Sequence, residues 1–167
     1  MAGDMGPLVV GLGEVKAFLR IDQADDDALI AGFIRTAMAL CEAFTGQWLI
    51  ERSGQQRLAA KTGWQRLAAA PVTAIDGVTE PMPVPFESDI DAGGSGWVRL
   101  HAVPTGRPQA AFRAGIAADW NGIPEPLRQG IIRLTAHLYS HRDAADAGAP
   151  PTAVAALWRP WRRMRLS

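Results

Sequence analysis

The spacing of apolar residues changes twice along this chain, and that change constrains the fold more than any other feature. Near both ends, apolar side chains recur every third or fourth position, which is typical of amphipathic helices. Between them the helical period disappears, and short apolar runs alternate with Gly and Pro, as in short strands joined by turns. The pattern predicts an α+β chain, mainly α. It comprises a small helical bundle (11–46 and 123–157), an inserted antiparallel β-rich sub-domain (47–118) and an extended C-terminal arm (158–167), all in one domain, 1–167.

Two helices are predicted before the β-rich region, a short one at 12–20 and a long one at 26–44. Gly46 is expected to end the second helix in the left-handed conformation. Each helix has an apolar stripe that should face the core. The stripes are Val15, Phe18 and Leu19 in the first helix, and Leu29, Ile30, Phe33, Ile34, Ala37, Met38, Cys41 and Phe44 in the second.

An acidic turn, Asp22 to Asp27, separates these helices. We expect Asp25 or Asp26 to cap the second helix, since carboxylates favour the positive end of a helix dipole. A calcium site is the alternative, but the EF-hand spacing with its central Gly and closing Glu is absent. Capping is therefore the preferred interpretation.

The middle region is predicted to form a small antiparallel sheet of short strands. Asp76-Gly77 is expected to form a type I′ hairpin turn, and prolines 81, 83 and 85 indicate an edge strand or extended arm. Asp91 to Gly96 is expected to be a loop. The candidate strands are Trp48–Ile50, Gln56–Ala60, Val72–Ile75, Val84–Phe86, Trp97–Leu100 and Ala110–Arg113.

A third helix is predicted from Pro124 to about Asp143, because Pro and Glu125 suit its first turn. A short fourth helix should span 152–157, with Thr152 as its cap. The buried stripe of the third helix is expected to contain Leu127, Ile131, Ile132, Leu134, Leu138 and Tyr139.

Residues with possible chemistry are few. Cys41 is the only cysteine and falls on an apolar helix face, which favours a small buried hydrophobe over a catalytic thiol. His137 and His141 share a helix face, but the HExxH zinc pattern is not met and His101 would have to come from the sheet. Gly11 and Gly13 do not complete a dinucleotide loop, and neither a P-loop nor GxSxG occurs. The sequence predicts no enzyme activity, no cofactor and no metal.

Bulk properties exclude further classes of function. The formal net charge is zero, so the chain as a whole is not a polyanion binder. The apolar stretches are interrupted by charge or proline before about 20 residues, so no membrane span is expected. The first ten residues lack the features of a secretory signal, and we expect the protein to be made in the cytoplasm.

The C-terminal segment has the most unusual composition, with two Trp and four Arg within ten residues. It could bind nucleic acid through phosphate contacts and base stacking, lie on an anionic membrane surface, or dock on a partner protein. It could equally fold back onto its own domain.

Several stretches, in this order, resemble the head–tail connector (adaptor) proteins of long-tailed phages and gene transfer agents. The helical ends carry the resemblance and the middle does not. The stretches are Gly13-Glu14-Val15-Lys16-Ala17-Phe18-Leu19-Arg20-Ile21-Asp22, Asp25-Asp26-Asp27-Ala28-Leu29-Ile30, Cys41-Glu42-Ala43-Phe44-Thr45-Gly46-Gln47, Ile123-Pro124-Glu125-Pro126-Leu127-Arg128-Gln129-Gly130-Ile131, Ala136-His137-Leu138-Tyr139-Ser140-His141-Arg142 and Trp161-Arg162-Arg163-Met164-Arg165-Leu166. Relatives often carry an aromatic-Gly pair in the last strand, where this chain has Ala114-Gly115.

The resemblance implies a structural subunit rather than an enzyme. It implies a homo-oligomeric ring of about twelve copies in the particle neck, between the portal protein and a tail-side stopper or connector, with DNA passing through the lumen. A nucleic-acid-binding module is the alternative function. The resemblance also implies that the C-terminal arm contacts the portal. The predicted portal-binding residues are Trp158, Arg159, Trp161, Arg162, Arg163, Arg165 and Leu166.

Overall fold

The computed structural model describes residues 11–80, 82–142 and 150–163. It contains four α-helices and two small antiparallel sheets, which confirms the predicted α+β class. The helices are α1 (Gly11–Leu19), α2 (Asp27–Thr45), α3 (Glu125–Ser140) and α4 (Thr152–Trp158). The strands are β1 (Arg52–Arg57), β2 (Gln65–Arg66), β3 (Val72–Glu80), β4 (Met82–Pro83), β5 (Phe86–Ile90), β6 (Gly96–Leu100) and β7 (Gln109–Ala114).

The helical body is organised around α3, which packs against each of the other three helices. The predicted stripe of α3 is buried, except that Tyr139 lies at its edge. The hydroxyl of Tyr139 donates to Asp26 Oδ2 at 2.5 Å, and this hydrogen bond raises the pKa of the tyrosine. Thus α3 is the central helix of the bundle.

The β-rich region forms a second apolar cluster of its own. One sheet has the order β1-β7-β3-β4 and the other β2-β6-β5. Val98 and Leu100 from β6 and Phe112 from β7 point into this cluster, following the two-residue period of a strand. The proline-containing β4 lies at the edge of its sheet, as predicted.

A network of polar and aromatic contacts joins the two regions. Arg52 forms a two-pronged ion pair with Glu42, with both N–O distances at 2.8 Å, and its guanidinium lies 4.0 Å from the Trp48 ring centroid. Glu42 also accepts the Leu49 backbone N–H at 2.8 Å. The end of α2 is therefore fastened directly to the start of β1.

The return from the sheet to the helices depends on Gly115. Its φ is +156°, and a Cβ there would lie 2.7 Å from the backbone carbonyl carbon of Ile50 and closer still to Glu51. A glycine permits this close backbone approach, and Ile50 forms an isolated parallel bridge with Ala117.

Several sequence-based expectations about the elements are wrong. Asp76 and Gly77 do not form a hairpin turn but lie inside β3, where a register shift absorbs the extra residue as a bulge. Asp26 occupies the N-cap position of α2 without bonding its backbone, because its carboxylate accepts from Tyr139. Thr152 is the first residue of α4, and Pro151 precedes it as the N-cap.

Two apolar residues predicted to be buried are exposed instead: Phe18 is 54% exposed and Leu29 is 42% exposed. By contrast, Gly46 ends α2 with a φ of 70°, as predicted. By length and composition α2 could cross a membrane. It carries the Glu42 ion pair and packs against α3, so we describe it as a helix of the folded body.

Candidate protein-contact surface at the C-terminal segment

The segment 158–163, called the terminal segment below, begins in the core and not in an arm. Trp158 is the last residue of α4 and is fully buried. Its ring lies 5.9 Å from that of Phe44, and its indole Nε1 donates to Leu127 O at 3.4 Å. Burial of the indole holds Trp158 in the bundle, so this first residue of the predicted arm is part of the helical body.

The next residues fold back over the C-terminal end of α2. A 3₁₀ turn spans Arg159–Trp161, and Trp161 packs half-buried against the core. Its carbonyl accepts from Gln47 Nε2 at 2.6 Å, and the Arg163 backbone N–H donates to Thr45 O at 2.8 Å. The bond from Arg163 satisfies the Thr45 carbonyl, which the end of α2 would otherwise leave open.

The arginines of the terminal segment differ in their surroundings. Arg159 and Arg162 are exposed, and the Arg162 guanidinium lies 5.7 Å from the Phe44 ring centroid. Arg163 is half-buried, and its side chain reaches the β5–β6 turn, where a Cβ at Gly93 would lie 3.1 Å from Nη2. Nη1 of Arg163 is buried and has no hydrogen-bond partner among the residues that the structure describes.

The neighbouring turn is itself ordered by hydrogen bonds. Asp91 Oδ1 accepts the Ser95 backbone N–H at 2.8 Å, and this bond lowers the pKa of the Asp91 carboxyl. Arg163 thus extends from the end of α2 to a hydrogen-bonded turn of the second sheet. Arg159, Trp161 and Arg162 present the outer side of the terminal segment, whereas Arg165 and Leu166 lie outside the described residues.

The other candidate residues do not assemble into a chemical site. Burial raises the pKa of the Cys41 thiol, with a smaller contribution from Glu42, so the thiol is not activated. The rings of His137 and His141 lie 4.3 Å apart, and His101 follows β6 beside Glu87 in the other region. Within the described ranges, no group of three or more His, Cys, Asp or Glu residues could hold a metal ion.

Sequence reasoning missed the residues on which the terminal segment lies. Thr45, Gln47 and Gly93 belong to a helix end, a connection and a turn, and their positions in the chain gave no sign that they meet residues 161–163. The one sequence feature that pointed to this region was Gly46. It marked where α2 ends and therefore where carbonyls need partners.

Comparison with known proteins gives a family and a set of related structures. Residues 10–79 match the family described as phage gp6-like head-tail connector protein. No curated protein matches the chain. Among solved structures, it matches a chain in the neck of an empty gene transfer agent (GTA) particle computed with C6 symmetry, at 29% identity and a TM-score of 0.78, covering 97% of this chain and 95% of that one.

Two further solved structures of gene transfer agent particles also contain a chain that matches this one. A chain in the neck of a native GTA particle computed with C12 symmetry matches at 26% identity and a TM-score of 0.76, covering 97% and 95% of the two chains. A chain in the virion of a native GTA particle matches at 27% identity and a TM-score of 0.72, covering 96% and 95%. These matches confirm the resemblance to the head–tail connector family and to chains in the neck of gene transfer agent particles.

Proposed function

We propose that this chain is a head–tail connector (adaptor) subunit that forms a ring between the portal and the tail-side connector proteins of a phage or gene transfer agent particle. The observation that carries the proposal is the match to neck subunits over 97% of the chain at a TM-score of 0.78. The likeness spans both the helical body and the β-rich region. A shared helix pair alone would not explain it.

The ring is supported by the rotational symmetry, C6 and C12, with which the related necks were computed. A ring of identical chains requires a heterologous contact whose rotation closes. In this proposal about twelve copies surround a lumen through which DNA passes without sequence readout, and the protein acts by contact rather than by chemistry.

We propose the terminal segment as the portal-facing contact, with a role for each residue that follows from its burial. Trp158 anchors the segment from within the core. The exposed Arg159 and Arg162 and the half-buried Trp161 supply the contact, since Trp and Arg are enriched at binding hot spots. Arg163 is proposed to fix the direction of the segment, and Arg165 and Leu166 to continue it beyond the described residues.

Electron cryo-microscopy of purified particles tests the proposal. We expect a ring of this chain in the neck, between the portal and the first tail-side ring. Particles produced without the chain should be filled heads that carry no tails. Tails attached at the normal frequency in its absence would contradict the function.

A further inference from the structure

The helix α2 has an apolar face that the described residues of its own chain leave uncovered. Its most apolar 18-residue stretch is only 33% buried. The buried side is formed by Ile30, Ile34, Ala37, Met38 and Cys41. The opposite side, called the outward face below, is formed by Leu29, Gly32, Thr36, Ala39 and Ala43, which recur every three or four residues.

The outward face exposes few polar groups that require hydrogen bonds to water. The Thr36 hydroxyl donates to the Gly32 carbonyl of its own helix at 3.1 Å, which satisfies this polar group without solvent. The half-buried Phe33 and Leu40 flank the face, and both pack against the core. The largest apolar patch on a folded protein is often an interaction site, which makes this face a candidate.

Gly32 independently indicates that another molecule packs against the outward face. A glycine inside a helix costs about 1 kcal/mol relative to alanine. Within the described residues nothing lies within 4 Å of a Cβ placed at Gly32. Gly130 of α3 differs, because a Cβ there would lie 2.7 Å from Cε2 of Trp158. The described part of the fold therefore explains Gly130 and leaves Gly32 unexplained, as expected if another backbone approaches α2 closely.

We propose that the outward face of α2 is covered by a second copy of this chain and forms one side of the subunit contact in the ring. The proposal rests on the proposed ring function and names the surface that builds it. In a closed ring each copy uses two different patches, one toward each neighbour.

Charge complementarity points to the second patch. Arg35 lies at the edge of the outward face, and Asp22 and Asp25 are exposed in the turn after α1. None of the three forms an ion pair with any residue that the structure describes. The turn also lies close to the exposed Phe18, which supplies an apolar group for the small residues of the neighbour.

The two patches belong to different elements, α2 and the turn before it, as a head-to-tail contact requires. A Cβ at Gly11 of α1 would lie 3.9 Å from Ile34 Cγ2, and Lys16 forms an ion pair of 2.6 Å with Asp27. α1 packs on the buried side of α2, and the turn that follows α1 precedes the first residue of α2, whereas the outward face runs along the helix. One copy can therefore present its outward face to the α1 turn of the next.

The area of the outward face determines whether the contact can be measured with free chains or only in the assembled ring. Nineteen helical residues span about 28 Å, and a strip about 10 Å wide offers on the order of 300 Å². A stable free complex buries about 800 Å² per partner. The contact is therefore expected to persist in the assembled ring, and the test uses particles.

The main test compares Ala39→Arg with Ala60→Arg, since both alanines are exposed and only Ala39 is on the outward face. Particles are assembled with each variant as the sole copy, and chain per portal is quantified. We expect Ala39→Arg to lower incorporation at least about tenfold, equivalent to ~1.4 kcal/mol, and Ala60→Arg to leave it unchanged. Equal incorporation of both variants would overturn the proposal.

Gly32→Ala tests whether reduced incorporation could result from reduced stability of the chain. It should raise the thermal midpoint of the free chain, because alanine favours the helix, and still lower incorporation. A more stable chain that enters particles normally counts against the proposal. Gly63→Ala is the matched control, since a Cβ at Gly63 also meets nothing within 4 Å but belongs to a loop.

A photo-crosslinking residue at position 29 identifies the occupant. Irradiated particles should yield a product of twice the chain mass, with the crosslink in residues 12–25 of the second copy. A product with a different protein would refute the second-copy assignment while leaving the connector function intact. Absence of the unmodified chain from necks would instead refute the connector function itself.

Discussion

The indole of Trp158 lies in a notch that Gly130 leaves in the side of α3. A Cβ at position 130 would lie 2.7 Å from Cε2 and 2.8 Å from Cδ1 of this ring, and closer still to Nε1. The same indole donates to Leu127 O, one turn earlier in α3. Attachment of α4 to the bundle therefore depends on the absence of one side chain.

Gly130→Ala should destabilise the chain, although alanine is the better helix former. The propensity gain is about 1 kcal/mol, whereas overpacking a core typically costs about 1–3 kcal/mol and here also displaces an indole hydrogen bond. Urea unfolding monitored by Trp fluorescence measures the change. Unchanged or increased stability would show that Trp158 does not require the notch.

Arg52→Gln should lower the free energy of unfolding by about 1–3 kcal/mol, because it leaves the Glu42 carboxylate without its charged partner. The side chains of Arg52 and Glu42 are only 17% and 13% exposed. Arg99→Gln is the matched control: the Arg99–Glu87 pair is 2.5 Å long but 43% and 41% exposed. Its loss should cost less than about 1 kcal/mol. If both variants lowered the free energy of unfolding equally, the buried Glu42–Arg52 ion pair would have no special role in stability.

The buried thiol predicts a fall in stability at alkaline pH. Burial raises the pKa of Cys41 from its ordinary value of 9.0, so the folded chain keeps a proton that the unfolded chain releases. Above pH 9.0 the unfolded state binds fewer protons, and the free energy of unfolding should decrease with pH by at most about 1.4 kcal/mol per unit. Unfolding curves from pH 8 to 10 measure the slope, and Cys41→Ala should lack this contribution. A wild-type slope equal to that of the variant would contradict the assignment.

Reversing the exposed charges of the terminal segment should separate attachment from folding. In Arg159→Glu/Arg162→Glu, we expect an unchanged thermal midpoint, since both side chains are exposed, and a strong loss of joined tails. Trp158→Ala is the contrasting variant and should lose about 3–5 kcal/mol of stability. Normal tail joining by the double variant would remove the terminal segment from the portal contact.

A salt titration distinguishes the connector function from a nucleic-acid-binding module. A module that uses Arg159, Arg162 and Arg163 would bind duplex DNA with an affinity that falls steeply with salt. We expect weak binding at physiological salt and no difference between wild type and Arg159→Glu/Arg162→Glu. Tight binding that the double variant abolishes would favour the alternative.

Periodicity predicted the helices well because their burial follows local geometry. Leu127, Ile131 and Leu138 repeat on one side of α3, and that side is buried. The β-rich region was predicted as a class but not in detail. Asp76-Gly77 has the composition of a hairpin turn, yet it lies inside the nine-residue strand β3. This strand pairs with β7 with two register shifts, and its extended conformation depends on that partner strand.

The terminal segment shows a different limit of sequence reasoning. Its Trp and Arg content indicated a contact surface, but composition does not say which indole turns inward. Gly130, 28 positions earlier, decides this for Trp158, and sequence alone gave no link between them. Phe18 and Leu29 fit the apolar stripes and yet are exposed, since the pattern records apolar character and not whether the fold covers a residue.

The path of Arg163 has a mechanical consequence. Its backbone is bonded to the end of α2, and its side chain rests against the turn before β6, so the last described residue spans the seam between the two apolar clusters. Tension on the C-terminus would be shared by both clusters rather than peeling one from the other. In the proposed connector, a load on the C-terminus would therefore act on both clusters at once.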